Sequence, residues 1–197
     1  MGQMAFWMNV SLDLFIERPD GERGAGDWLR IDSEVHEAYN ALARDLALMV
    51  EGRVIYEIME AFWPAAAADS TIEPCMQEYG RIWTEIPKLL VSNSRTSAEH
   101  NTRVVGGTDA IAQLAAIRAD TDGPIGVGGS TLATALLEHG LLDELLLFVH
   151  PTVLGRGRPL FDRMDGQIDC DLCEHRVFTN GVAMHRYAIR DPRARSG

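Results

Sequence analysis

The run Ile125-Gly126-Val127-Gly128-Gly129-Ser130-Thr131 joins a short apolar stretch to a helix-compatible one through two adjacent glycines. Such a turn suits an anion. Without Cβ atoms, Gly128 and Gly129 let a ligand approach the main chain closely. The helix that follows aims its free N–H groups and the positive end of its dipole at the turn, which fits a diphosphate. Gly52-Arg53 repeats the arrangement between an apolar run and a second helix, and the Arg53 guanidinium can fork onto two phosphate oxygens. Neither motif is a standard nucleotide fingerprint. The third glycine of G-x-G-x-x-G would fall at Thr131, and no Gly-Lys-Ser/Thr occurs. The plain alternatives are a tight strand-to-helix turn and a surface arginine near a helix start.

Other side chains have chemistry of their own. Asn9, Ser11 and Asp13 share one parity, while Phe6, Met8, Val10, Leu12, Leu14 and Ile16 share the other. Period two over this length predicts one strand with a buried face, its polar face lining a cleft or meeting water. Asn9 and Asp13 are therefore candidate substrate contacts, although a structural hydrogen bond serves Asp13 equally. Phe62 and Trp63 could stack on a flat ring or pack in a core. No two of the six histidines have ligand spacing, so no metal is expected. Cys170 and Cys173 form a C-x-x-C without a second ligand pair. On a strand over 168–178 they would point to opposite faces, so reduced structural thiols are expected of them and of Cys75.

Strands and helices alternate around these motifs. Helices are expected over 33–44 with Ser33 as N-cap, from 51–53 through Met59, over 73–86, after a cap at Thr108 or Asp109, and over 131–139. Pro64 and the alanines 65–68 read as a loop. Strands are expected at 46–50, 88–92, 102–105, 125–127 and 144–149, with turns at Pro19-Asp20-Gly21 and through Gly24 and Gly26. The tail alternates around 176–178 and 183–189, with Asn180-Gly181 as a hairpin turn. This order predicts a mainly parallel α/β sheet with helices on both faces and an antiparallel edge hairpin, in one domain over 1–197.

Composition narrows the partners. With 46% hydrophobic residues the 197-residue chain can build a core. A formal charge of −11 argues against nucleic acid, whose affinity comes from neutralised phosphates. One local arginine and a few N–H groups can still hold a phosphorylated small molecule. The N-terminus has no basic region before its apolar residues, Phe6 occupies the position where myristoylation needs Ser or Thr, and no apolar run is long enough to span a membrane. A cytoplasmic location is expected.

Gly128-Gly129-Ser130, Leu132, Ala135, Leu136, Gly140-Leu141-Leu142-Asp143-Glu144-Leu145, Pro151, Leu154-Gly155 and Leu160-Phe161 together resemble one family. It is the dihydrofolate reductase-like family that includes the C-terminal reductase domain of bifunctional riboflavin-biosynthesis enzymes. Ser11-Leu12-Asp13, Asp27-Trp28, Gly52-Arg53-Val54-Ile55-Tyr56-Glu57 and the segment 88–94 follow in the expected order. The resemblance implies a three-layer sandwich, NADPH as hydride donor, a small heterocyclic substrate and a homodimer. It places Gly52, Arg53 and Val54 on one side of the diphosphate, and Gly128, Gly129, Ser130, Thr131 and Leu132 on the other. Ser92, Ser94 and Arg95 match a grip on the adenosine 2′-phosphate. Trp28 and Asp32 resemble the tryptophan and acidic residue of dihydrofolate reductase, making Asp32 the candidate catalytic acid and Trp28 a substrate contact. The spacing is one residue short, so Glu34 or water could serve instead, and a helix-terminal role would also explain Asp32.

Three positions depart from the family pattern: Leu14 replaces a frequent glycine, Glu51 precedes Gly52, and Ile55 stands where threonine is usual. Glu51 beside a diphosphate would be unfavourable. Glu51 and Ile55 motivate a second reading, a nucleotide-binding protein of this fold without turnover, and a purely structural dimer module is a third.

Overall fold

The computed structural model describes residues 1–19, 26–161, 164 and 166–190. The expected turn at Pro19-Asp20-Gly21 and the loop through Gly24 fall partly outside them. In chain order the elements are β1 (Gln3–Val10), β2 (Phe15–Glu17), α1 (Ser33–Arg44), β3 (Leu48–Gly52), α2 (Arg53–Ala68), α3 (Pro74–Glu85), β4 (Lys88–Val91), β5 (Thr102–Val105), α4 (Ala110–Asp120), β6 (Pro124–Gly128), α5 (Ser130–Glu138), β7 (Glu144–Val149), β8 (Arg158–Pro159), β9 (Cys170–Val177) and β10 (Ala183–Ile189). Eight strands form one sheet in the order β5-β4-β3-β6-β1-β7-β10-β9. The six strands from β5 to β7 are parallel, and β10 and β9 close the edge antiparallel. Among the described residues, no helix is long and apolar enough to cross a membrane.

Strand alternation builds the two cores. Leu48, Val50, Leu89, Leu145 and Leu147 face α4 and α5 and pack with Leu114, Leu132 and Leu136. Their neighbours Met49, Leu90, Leu146 and Phe148 face α1 and α3 and pack with Val35, Tyr39, Tyr79 and Trp83. Both sheet faces are therefore covered, which is why the central strands read as nearly continuous apolar runs.

Three local expectations are corrected. The single strand expected through Ile16 ends at Val10. Ser11 Oγ donates to Asp13 Oδ1 at 2.7 Å and accepts the Phe15 N–H at 2.9 Å, folding the chain into a tight turn. Leu12 and Leu14 are consequently 58% and 49% exposed, and β2 pairs with β8 outside the main sheet. Asp32, rather than Ser33, caps α1, its carboxylate accepting the Val35 N–H at 3.0 Å. Helix α2 continues through Pro64 to Ala68. Only the proline's own backbone bond is forfeited, and the alanines that follow are the best helix formers available.

The cysteines are free. Cys170 packs against the α4–α5 core, whereas Cys173, which the β9–β10 register skips, is exposed.

Candidate functional site

Helices α2 and α5 begin side by side at the carboxyl ends of β3 and β6, adjacent strands in the sheet. Neither start has a side-chain cap or an acidic residue in its first turn, so their leading N–H groups remain available. Gly129 adopts φ +98°, a conformation costly for other residues. A methyl on it would lie 3.7 Å from the N and Cα of Gly52, so the two glycine bends touch.

Both starts open into one cavity of about 520 Å³. Gly52, Arg53, Val54, Gly129, Ser130, Thr131 and Leu132 all lie on its wall. Gly128 instead lines a neighbouring cavity. The first cavity contains two cations. Arg53 pairs with Glu57 one turn on at 2.8 Å, and Arg158 donates to Thr131 Oγ1 at 2.9 Å while facing Glu17 at 3.9 Å. Two buried polar atoms of residues on this wall, Ser130 Oγ and Trp28 Nε1, have no hydrogen-bond partner among the described residues. Buried donors without partners are costly, so each fits a ligand contact. Uncapped helix starts, guanidinium groups and an orphan hydroxyl together suit a diphosphate-bearing ligand.

Ser92, Ser94 and Arg95 lie just past β4. Ser92 Oγ accepts the N–H groups of Ser94 at 3.1 Å and Arg95 at 3.0 Å, which shapes the turn. The Arg95 guanidinium is engaged by both oxygens of Glu60, at 3.0 and 3.3 Å. Ser92 and Arg95 border a separate shallow concavity with Gly106, Gly107 and Thr108.

The second cavity, of about 420 Å³, shares Met8, Asn9 and Ile55 with the first, so these three side chains divide the two. Helices α1 and α2 wall it with Tyr39, Met59, Phe62 and Trp63, and α3 closes it with Tyr79. Asn9 is fixed here by two donors. His150 Nδ1 accepts the Arg30 N–H at 2.9 Å, which leaves the ring proton on Nε2, donated to Asn9 Oδ1 at 3.0 Å. Tyr39 donates its hydroxyl to the same oxygen at 2.6 Å. These bonds turn the Asn9 oxygen towards Tyr39 and His150, so its amide nitrogen is the end that could serve a ligand. Burial drives the His150 pKa down to about 4, so the ring is neutral at pH 7.

Glu51 is not where its sequence position implied. Strand alternation puts it on the Met49 face of β3, so its carboxyl lines the second cavity rather than the first. Trp83 Nε1 donates to its Oε1 at 3.3 Å, and Oε2 is buried without a partner. Burial pushes its pKa up to about 7, against the opposing pull of Trp83 and the Lys88 ammonium.

Of the other candidates, Trp28 is buried on the first cavity's wall, edge-on to His150, and Phe62 sits half exposed on the second's. Asp32 is on neither wall, its carboxylate being the α1 cap. Asp13 is likewise on neither wall. It accepts the N–H groups of Leu154 and Gly155 at 3.1 and 2.7 Å, tying the β1–β2 turn to the loop after β7. Glu34, the alternative acid, accepts from Arg176 and from the Thr179 hydroxyl. Sequence reasoning missed His150, Tyr39 and Tyr79. Only the parity of β3 was a usable signal, since it sets Glu51 with Met49. Among the described residues no group of His, Cys, Asp or Glu could hold a metal ion.

Comparison with known proteins adds ancestry to this geometry. The uncharacterized protein YyaP of Bacillus subtilis strain 168 is 25% identical over 179 residues, 90% of each chain. A putative riboflavin biosynthesis protein from Shewanella sp. PV-4 superposes with a TM-score of 0.71 at 22% identity, over 97% of this chain and 100% of that one. Dihydrofolate reductase from Enterococcus faecalis, solved with NADP(H), superposes with a TM-score of 0.61 at 13% identity, over 96% and 98%. The fold is thus the dihydrofolate reductase-like α/β sandwich. Residues 5–184 match the RibD C-terminal domain, and the protein belongs to that family.

Proposed function

We propose that the chain is an NADPH-dependent reductase that delivers a hydride to a heterocyclic small molecule of the pterin or ribosylaminopyrimidine type. One observation carries the reading: two uncapped helix starts, at Gly52 and Gly129, converge on one cavity that shares a wall with a second, aromatic-lined cavity. A dinucleotide needs the first and an acceptor ring the second.

In this reading Gly52, Arg53, Val54, Gly129, Ser130, Thr131 and Leu132 hold the diphosphate, and Gly128, which lines the neighbouring cavity, leads the chain into the bend. Ser92, Ser94 and Arg95 hold the 2′-phosphate, with Arg95 exchanging Glu60 for it. The cofactor supplies the hydride, and the protein supplies orientation and a dry boundary. Trp28, Met8 and Ile55 provide that boundary. Asn9 offers its amide N–H groups to a ring carbonyl, held in register by His150 and Tyr39. With Asp32 committed to its helix, the accompanying proton comes from water. The family resemblance extends the reading to a homodimer.

Gly129→Asp is the direct test. It forces a side chain into a φ +98° position and adds negative charge beside the phosphates. NADPH affinity measured by tryptophan fluorescence should fall at least about 100-fold, with the far-UV spectrum unchanged, given that each tenfold is about 1.4 kcal/mol. Unaltered affinity would falsify the site. Loss of NADPH absorbance with a pterin or pyrimidine acceptor separates turnover from binding alone.

A further inference from the structure

The two cavities differ in charge. The first has two cations, Arg53 and Arg158, and two helix N-termini on its wall against one acid, Glu17, which faces Arg158. The second has one acid, Glu51, and no lysine or arginine among the described residues of its wall. Glu51 is 4% exposed, and its Oε2 lacks any hydrogen-bond partner. The buried cation nearby, Lys88, is absent from the wall. Its ammonium bonds the Trp83 and Ile86 carbonyls and sits over the Trp83 ring, 4.6 Å from its centroid. The remaining surface around Glu51 is flat and apolar, with Tyr39, Trp63, Tyr79, Met49 and Met59. His36, also on this wall, is held neutral by burial, which lowers its pKa.

The geometry points to an unphosphorylated, flat nitrogen heterocycle as the molecule this cavity takes, anchored by an N–H that it donates to Glu51 Oε2. A phosphate placed here would meet a buried carboxyl with no lysine or arginine among the described wall residues to hold it, which is strongly unfavourable in a desolvated site. Two polar atoms of this wall are buried and unpaired among the described residues, Glu51 Oε2 and His36 Nδ1; a ring N–H satisfies the carboxyl oxygen, the charged acceptor of the two, and aromatic walls accept the ring faces. About 420 Å³ accommodates a bicyclic ring. This assignment rests on the proposal that the first cavity holds the dinucleotide, and it narrows the acceptor. A phosphoribosylated pyrimidine does not fit this wall. The anchoring carboxyl comes from the end of β3, not from the start of α1 where Asp32 is spent on capping.

Calorimetric titration at pH 8, where Glu51 is largely ionised, tests the anchor with two small probes. 2-Aminobenzimidazole offers N–H donors, and 1-methylbenzimidazole has the same ring system without one. The wild-type protein should bind the first about tenfold or more tightly than the second, as expected for satisfying a buried charged acceptor. Glu51→Gln should erase that preference while leaving 1-methylbenzimidazole and NADPH affinities unchanged. A preference retained in Glu51→Gln, no preference in the wild type, or displacement of the probe by uridine 5′-monophosphate would overturn the proposal. Should Glu51→Gln not fold, the wild-type protein still decides. The carboxyl-¹³C resonance that titrates near pH 7 shifts on adding 2-aminobenzimidazole if the anchor is right and stays put if it is wrong. Failure of NADPH to bind, with the probe preference intact, removes the dinucleotide reading and leaves the anchor standing.

Discussion

Leu14 occupies a position where the family often has glycine, and its backbone shows why that matters. Its φ is +60°, in the left-handed region, and its side chain is 49% exposed, so little burial offsets the strain. Leu14→Gly should therefore stabilise the protein by about 1 kcal/mol, read from the urea midpoint, because the left-handed penalty of about 1–2 kcal/mol exceeds the chain entropy that glycine adds. Glu51 predicts a pH dependence. Its folded pKa of about 7 lies above the ordinary 4.5, so between those values the native state keeps a proton that the unfolded chain has released. Its contribution to stability falls as pH rises through that window, by on the order of 3 kcal/mol at most. Unfolding free energies at pH 5 and pH 8 should show the wild type losing stability relative to Glu51→Gln. The difference between the two proteins removes the opposite trend from His36 and His150, whose lowered pKa values favour the fold as pH rises.

The α2–α3 pair walls the second cavity, and its closeness depends on Gly80. A methyl there would stand 2.7 Å from the Trp63 carbonyl oxygen and 2.8 Å from the Ala67 nitrogen, both backbone atoms that cannot yield alone. Gly80→Ala in an isolated helix would gain about 1 kcal/mol of propensity. Here the helices must separate instead, so a net loss of about 1–3 kcal/mol is expected from thermal unfolding. A stabilised variant would mean that the two helices are free to slide. The same contact explains why α2 persists past Pro64: the alanine stretch is clamped by α3, with Ala66 buried. Propensity and proline rules, which see only neighbours in sequence, end the helix too early.

Across the molecule, charge is unevenly distributed. A chain of net charge −11 places two arginines, one acid and two helix N-termini at one cavity, and one acid with no lysine or arginine among the described residues of the next. The proposed homodimer predicts a sedimenting mass of about twice 21.8 kDa at micromolar concentration. The outer strand β9 offers an unpaired edge with Leu172 and Val177 exposed, a surface that pairing with a second chain would cover. A single-chain mass would remove the dimer.

The sheet's composition, its parallel character, the antiparallel closing hairpin and the glycine bends at Gly52 and Gly128-Gly129 were all readable in the order of residues. Those features follow from local causes: side-chain period, turn chemistry and the absence of a Cβ. The Glu51 side was readable in principle from its alternation with Val50. Folding alone settled which polar groups share a cavity. Asn9, Tyr39 and His150 are scattered along the chain and meet because β1 and β7 are neighbours beneath α1. Asp32 was the candidate acid and Asp13 a candidate substrate contact, each with a structural alternative, and both accept backbone N–H groups in the fold. A carboxylate's partner depends on which donors tertiary packing brings within about 3 Å, and pattern along the chain does not encode that distance.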